Sequence, residues 1–90
     1  MTANVPQQQE TEIGKVSHYY GHLGVMAVDL TDRLQVGDTV HIRGHSEDFV
    51  MTVDSMQIEH RTVTEGKPGD SVGIKAPQKV HPGDHVYRVS

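Results

Sequence analysis

Three Gly-Asp pairs, set between short segments of alternating apolar residues, constrain this chain more than any other feature. They are Gly37-Asp38, Gly69-Asp70 and Gly83-Asp84, and the last two follow a proline directly. Proline presets φ for the second position of a turn, glycine supplies the positive φ of a type II third position, and the Asp can bond nearby backbone N–H groups. The pairs therefore predict tight turns between strands rather than phosphate or metal sites.

The segments between these turns predict an all-β fold, because apolar and polar residues alternate in them. No apolar stripe of 3.6-residue period is long enough for a helix. The 13 Val and 4 Ile, against 3 Leu, agree, since β-branched side chains suit a pleated surface. A change of phase near Asp54-Ser55 indicates a bulge or corner. Strands are expected over residues 12–20, 24–30, 39–43, 48–59, 71–76 and 85–89.

The length of 90 residues and the mass of 10.0 kDa allow one domain. Residues 1–11 are polar and contain three successive Gln, so we expect a flexible N-terminal arm there. The ordered domain is predicted over residues 12–90.

Composition excludes several classes of function. The chain has no Cys, which excludes a disulfide framework and a thiolate site. It contains no apolar run of about 20 residues and no signal-peptide pattern at its start, so we expect a cytoplasmic protein without a membrane partner. Its net charge of −4 disfavours nonspecific coating of nucleic acid, which depends on cationic patches.

Three motifs in order resemble the second domain of translational GTPases of the elongation factor Tu type. They are residues 34–44 (LQVGDTVHIRG), 53–56 (VDSM) and 69–74 (GDSVGI), and the resemblance covers about residues 13–89. It implies a small closed antiparallel β-barrel of about six strands, in which closure removes the sheet edges. Residues 18–20 (HYY) and 55–60 (SMQIEH) resemble a narrower group of stand-alone, translation elongation factor-like proteins. A similar barrel occurs at the C-terminus of some collagenase-like peptidases.

The chain departs from the translational GTPases in lacking a phosphate-binding loop, so no nucleotide hydrolysis is expected. The adjacent carboxylates Glu47 and Asp48 face opposite sides of an extended chain, and no nucleophile elbow occurs. We therefore predict that the protein is not an enzyme, and that it has no catalytic residue and no cofactor.

Histidines form three i, i+4 pairs, namely His18/His22, His41/His45 and His81/His85. Residues four apart on one strand are about 13 Å apart, which is too far for two ligands of one ion unless a turn intervenes. We predict no metal site, and we keep a metal- or pH-responsive binding protein that uses these pairs as an alternative function.

The leading interpretation is a non-enzymatic binding or accessory module, associated with translation or an RNA-containing complex. Its partner would be a protein, or the ribosome or another RNA, and the module would be a monomer or a dimer. A partner subunit of a collagenase-like peptidase is a further alternative. Tyr19 and Tyr20 point to opposite faces of a strand, which leaves one of them free for a partner. The predicted binding residues are His18, Tyr19, Tyr20, His22, His60 and Arg61.

Overall fold

The computed structural model describes residues 9–90, and within them every regular element is a β-strand. No helix in this part of the chain is long and apolar enough to cross a membrane. The predicted all-β class is confirmed. The ten strands are β1 (Glu10–Tyr20), β2 (Val25–Leu30), β3 (Leu34–Gln35), β4 (Thr39–Arg43), β5 (Asp48–Thr52), β6 (Met56–Ile58), β7 (Arg61–Val63), β8 (Glu65–Gly66), β9 (Ser71–Lys75) and β10 (His85–Val89).

Eight strands form one antiparallel sheet in the order β5-β4-β10-β1-β2-β9-β6-β7, and β3 pairs with β8 in a separate ribbon. Strands β5 and β7 are therefore the two edges of the large sheet. The predicted closed barrel of about six strands is not found among the described residues, where eight of the ten strands form an open ladder and the other two form a separate ribbon. The difference comes from long-range pairing, which the alternation of single segments does not determine.

The sheet curls around a single apolar core. Ile42 on β4 and Met56 on β6 stand far apart in the strand order, yet both are fully buried in the same cluster. Burial of a side chain of this size stabilises the fold by about 1.5–3 kcal/mol. The other buried members are Ile13, Val16, Met26, Val28, Leu30, Leu34, Val40, Val53, Val72, Ile74, Val80 and Val86.

The three Gly-Asp turns adopt the predicted geometry. Gly37, Gly69 and Gly83 have φ values of 98°, 94° and 96°, which a residue with a Cβ rarely adopts. In each turn the Asp carboxylate accepts a hydrogen bond of 2.9 Å from the backbone N–H three residues earlier. The same local signal therefore produces the same local structure three times.

The corner predicted near Asp54-Ser55 is confirmed. Strand β5 ends at Thr52 on one edge of the sheet, and β6 begins at Met56 near the opposite edge. Of the predicted arm, Glu10 and Thr11 lie in β1, while residues 1–8 are outside the described part. The arm therefore stays a prediction.

Candidate functional site

A polar cleft lies at one end of the sheet, where the β4–β5 loop meets the loop before β10. Its volume is about 790 Å³, and its lining includes both loops, 44–47 and 81–84. Pairing of β4 with β10 places Arg43 opposite His85, which brings the two loops side by side. The sheet register therefore joins parts of the chain that are far apart in sequence.

The loop before β10 holds Asp84 in a fixed position. The Asp84 Oδ2 atom accepts the His81 N–H at 2.9 Å, and the Asp84 carbonyl accepts the Val16 N–H at 2.8 Å. Gly83 N–H donates to the Val16 carbonyl at 2.7 Å. The turn is thus bonded to β1, and only 4% of the Asp84 residue surface is exposed.

Gly44 allows the two loops to approach each other. A Cβ at this position would lie 1.9 Å from Asp84 Oδ1, far closer than atoms can pack. The Gly44 N–H donates to the Glu47 carbonyl at 2.8 Å and closes the β4–β5 loop. A glycine is therefore required for the packing of Asp84 rather than for an unusual φ.

Glu47 is the second buried carboxylate of the cleft, and 6% of its residue surface is exposed. Its Oε2 atom lies 2.9 Å from His81 Nδ1, and its buried Oε1 atom has no hydrogen-bond partner among the residues described. One side-chain ligand atom from each of Glu47, His81 and Asp84 lies within 4.8 Å of the others. The arrangement is a compact set of two carboxylates and one imidazole, which we call the cleft cluster.

The two carboxylates of the cleft cluster have opposite pKa shifts. Burial, followed by the hydrogen bond with Glu47, raises the pKa of Asp84. The hydrogen bonds with Asp84 and then with His81 lower the pKa of Glu47. Of the pair, Asp84 is therefore the better proton carrier, and Glu47 carries the negative charge.

The i, i+4 histidine pairs of the sequence do not form the cleft cluster. His45 and His85 line the cleft beside His81, and the ring of His85 is hydrogen-bonded to Glu12 at 2.6 Å. His41 lies elsewhere, between two other carboxylates. The cleft cluster therefore combines one histidine with two carboxylates from separate loops. From the sequence, Glu47 was considered only beside Asp48, and Asp84 only as a turn residue.

The predicted binding residues lie on two hairpins outside this cleft. His18, Tyr19 and Tyr20 end β1 and His22 follows in the turn, whereas His60 and Arg61 belong to the β6–β7 hairpin. Strands β2 and β9 separate β1 from β6, so the structure does not bring the two groups together on neighbouring strands. Tyr19 packs against the core and Tyr20 is exposed, as expected for adjacent residues on a strand. Their role in binding stays a prediction.

The β6–β7 hairpin turns through Glu59 and His60, which have φ values of 50° and 65°. Two successive residues with positive φ are typical of a type I′ turn, whose twist matches the flanking strands. The exposed position of His60 is thus a consequence of the hairpin geometry.

Comparison with known proteins relates the chain to proteolytic enzymes. It is 38% identical over 85 residues to an uncharacterized protease of Methanocaldococcus jannaschii, a match that covers 93% of this chain and 21% of the protease. It is 30% identical over 83 residues to a collagenase of Porphyromonas gingivalis, covering 90% of this chain and 23% of the collagenase. The chain thus spans about a fifth of the length of these relatives. No protein-family model matches it.

The same fold occurs in a solved structure. The C-terminal domain of a Geobacillus thermoleovorans protein assigned as a U32 peptidase superposes with a TM-score of 0.81 at 20% identity. The match covers 86% of this chain and 90% of that domain. At this identity the likeness establishes the fold alone.

These relationships correct two predictions. The assignment to translation elongation factor-like proteins is wrong, because the curated relatives are a protease and collagenases, and the translation function that followed from it is unsupported. The prediction that the protein is not an enzyme is contradicted in that these relatives, of which the chain spans about a fifth, are named as a protease and collagenases. The motifs behind the resemblance are largely turn sequences, and turns recur in unrelated families that share a fold. An RNA partner is tested by none of these findings and stays a prediction.

Proposed function

We propose that this chain functions within a collagenase-like peptidase, as the counterpart of the C-terminal domain of U32 peptidases. The observation that carries the proposal is the pattern of coverage. Nearly the whole chain matches about a fifth of a protease, and it shares its fold with a C-terminal domain solved separately from the rest of its protein. The proposed substrate class is a collagen-like or gelatin-like polypeptide, which the name of the second relative suggests.

A domain of this kind needs a surface that contacts the catalytic part of the peptidase. The hairpin between β1 and β2 offers exposed apolar side chains, since Leu23 is 68% exposed and Tyr20 is 47% exposed. The rings of Tyr20 and His18 lie 4.3 Å apart, which restricts the rotamers of Tyr20 in the free protein. Aromatic residues held in this way are frequent anchors of protein interfaces. We assign the contact to this hairpin, which contains four of the six predicted binding residues.

A chimeric protease tests the proposal. In the Methanocaldococcus jannaschii protease, the segment that matches this chain is either deleted or replaced by this chain, and gelatin cleavage is measured. We expect the deletion to lose activity and the replacement to restore it. If the deletion retains full activity, the proposed role is wrong. Cleavage of gelatin by the 90-residue chain alone would also overturn it, because the catalytic groups would then lie in this chain.

Two substitutions in the chimera test the assigned surface. Leu23→Lys should reduce gelatin cleavage, because a charge replaces an apolar contact. It should also reduce the affinity of this chain for the protease that lacks the matching segment. Val50→Lys on the edge strand β5 is the matched control, since Val50 is 60% exposed but lies away from the hairpin. Equal effects of the two substitutions would contradict the assignment to the β1–β2 hairpin.

A further inference from the structure

The cleft cluster presents more acceptors than donors. Glu47 and Asp84 are both nearly completely buried, and together they bring four carboxylate oxygens to one place. The donors that reach them are the His81 N–H on Asp84 Oδ2 and the His81 ring on Glu47 Oε2. In the described part of the chain, no Lys or Arg forms an ion pair with either carboxylate. A buried carboxylate pair of this kind is costly without a proton or a cation.

The second observation is the Oε1 atom of Glu47. It is buried and has no hydrogen-bond partner among the described residues while both carboxylates are ionised, although buried side-chain acceptors are almost always satisfied, so it needs either a proton shared with Asp84 or a cation. An unpaired carboxylate oxygen next to a second carboxylate and an imidazole nitrogen is a candidate metal ligand. Local turn geometry does not explain it, because the turn uses only Oδ2 of Asp84.

We propose that Glu47, His81 and Asp84 bind a divalent transition-metal cation. The proposal does not depend on the proposed peptidase role. A set of one imidazole and two carboxylates favours Zn²⁺ or a neighbouring first-row cation over Ca²⁺, which takes oxygen ligands only. Ligand atoms of a tetrahedral Zn²⁺ with bonds of about 2.0–2.1 Å are ~3.3 Å apart. The candidate atoms already lie within 4.8 Å of one another, so side-chain adjustments of about 1 Å suffice.

The position of the cluster fits a cation that exchanges with solvent. The His81 side chain is 50% exposed and lines the cleft, and the two buried carboxylates line the same cleft. Three protein ligands leave one tetrahedral position for water or for an anionic group entering the cleft. His45 and His85 lie on the same lining but are not members of the three-ligand set.

Titration of the untagged, metal-free chain with Zn²⁺ tests the proposal, with calorimetry for stoichiometry and a thermal melt for stability. We expect the wild-type chain to bind one Zn²⁺. Asp84→Asn should bind it with an affinity reduced more than ~10-fold. The melting temperature of the wild-type chain should rise with Zn²⁺, because a ligand that binds the folded state stabilises it. The same rise should be absent in Asp84→Asn.

Two control variants separate this site from binding by surface histidines. Asp70→Asn changes the equivalent residue of an identical Pro-Gly-Asp turn, and His41→Gln changes a histidine that also contacts two carboxylates. Both should bind Zn²⁺ as the wild type does. Equal binding by the wild type and Asp84→Asn would overturn the proposal, as would failure of the wild type to bind either Zn²⁺ or Mn²⁺. If Asp84→Asn does not fold, His81→Gln provides the same comparison, since its ligand is half-exposed.

Discussion

In the described part of the chain, two clusters each combine one histidine with two carboxylates, and the two differ in almost every other respect. One is the cleft cluster of Glu47, His81 and Asp84. In the other, which we call the outer cluster, His41 on β4 contacts Glu10 on β1 and Asp48 on β5. Composition alone would rank them as equal candidates for a metal site.

The difference lies in how the carboxylates are arranged around the ring. In the outer cluster, Nδ1 of His41 lies 2.8 Å from Glu10 and Nε2 contacts Asp48, so each nitrogen faces its own carboxylate. A doubly protonated ring satisfies both contacts. In the cleft cluster, the His81 ring contacts Glu47, the His81 backbone N–H donates to Asp84, and Oε1 of Glu47 has no partner among the described residues.

The pKa shifts follow from these arrangements. The hydrogen bond with Asp48 is the main reason why the pKa of His41 is raised, and the same bond lowers the pKa of Asp48. With a protonated His41, the outer cluster is therefore a complete ion pair that links β4 to the edge strand β5. In the cleft, burial is the main cause of the raised pKa of Asp84. Several acceptor atoms meeting at one point, rather than the residue types, distinguish the proposed cation site from a salt bridge.

The largest effect is expected for Gly44→Ala, which breaks the geometry of the cleft cluster alone. The new Cβ would collide with Asp84 Oδ1, and Asp84 cannot move freely because its turn is bonded to β1. We expect the free energy of unfolding to fall by about 1–3 kcal/mol, the usual range for overpacking. Urea unfolding measures it.

Gly21→Ala is the matched control for Gly44→Ala. The nearest atom to a Cβ at Gly21 is a Tyr19 ring carbon at 3.8 Å, an ordinary van der Waals distance. Its unfolding free energy should stay within about 0.5 kcal/mol of the wild type. If both substitutions have the same effect, close packing of Gly44 against Asp84 is not what holds the cleft together.

A smaller effect of opposite sign is expected for Asp84→Asn in the presence of a chelator. The asparagine oxygen can still accept the His81 N–H, while its amide can donate to the Glu47 carboxylate, whose Oε1 has no partner. A gained hydrogen bond stabilises a protein by about 0.5–1.5 kcal/mol. The unfolding free energy of the metal-free protein should therefore rise.

Asp70→Asn sharpens this result, because Asp70 occupies the same position in an equivalent turn but is only partly buried. Its unfolding free energy should change by less than about 0.5 kcal/mol. A loss of stability in Asp84→Asn that exceeds the change in Asp70→Asn would show that Asp84 and Glu47 already share a proton and need no further donor.

The fold was predictable wherever the signal was local. The three Gly-Asp turns and the corner after β5 follow from residue types within a few positions of each other. Strands β3, β7 and β8 were missed because they contain two or three residues, too few for any alternation to be recognised. Sheet closure was predicted wrongly because it depends on pairing between distant strands, which turn motifs do not specify.

The cleft cluster was not predicted, because 34 positions separate His81 from Glu47 and only the pairing of β4 with β10 joins them. One signal was present in the sequence. The turns at 67–70 and 81–84 read KPGD and HPGD, so a histidine replaces a lysine in the turn that carries the buried Asp. Comparison of repeated turns for such substitutions would have identified His81 as a candidate. Turn chemistry concealed it, since it gave every Gly-Asp pair the same structural role.

The smallest effect concerns the outer cluster and the pH dependence of stability. The folded-state pKa of His41 is raised above about 6.5, the value of an unperturbed histidine. Its contribution is therefore fully present below pH ~6.5 and is lost as the pH rises through the raised pKa. Besides Glu10 and Asp48, the ring faces Tyr87 on β10, and Arg43 lies near Asp48. Between pH 6 and 9, we expect the unfolding free energy of His41→Gln to fall less steeply than that of the wild type.

The two carboxylates of the outer cluster should contribute unequally to this pH dependence. The hydrogen bond of Asp48 is the largest cause of the raised pKa of His41, and that of Glu10 is a smaller one. An NMR titration of the His41 ring should therefore show a greater fall in its pKa for Asp48→Asn than for Glu10→Gln, while His22→Asn in the β1–β2 turn leaves it unchanged. The reverse order would mean that Glu10 is the dominant partner, and that β1 rather than β5 holds the His41 ring in its charged state. Because neither substitution touches the cleft, Zn²⁺ binding should be the same in both variants, which keeps the two clusters experimentally separate.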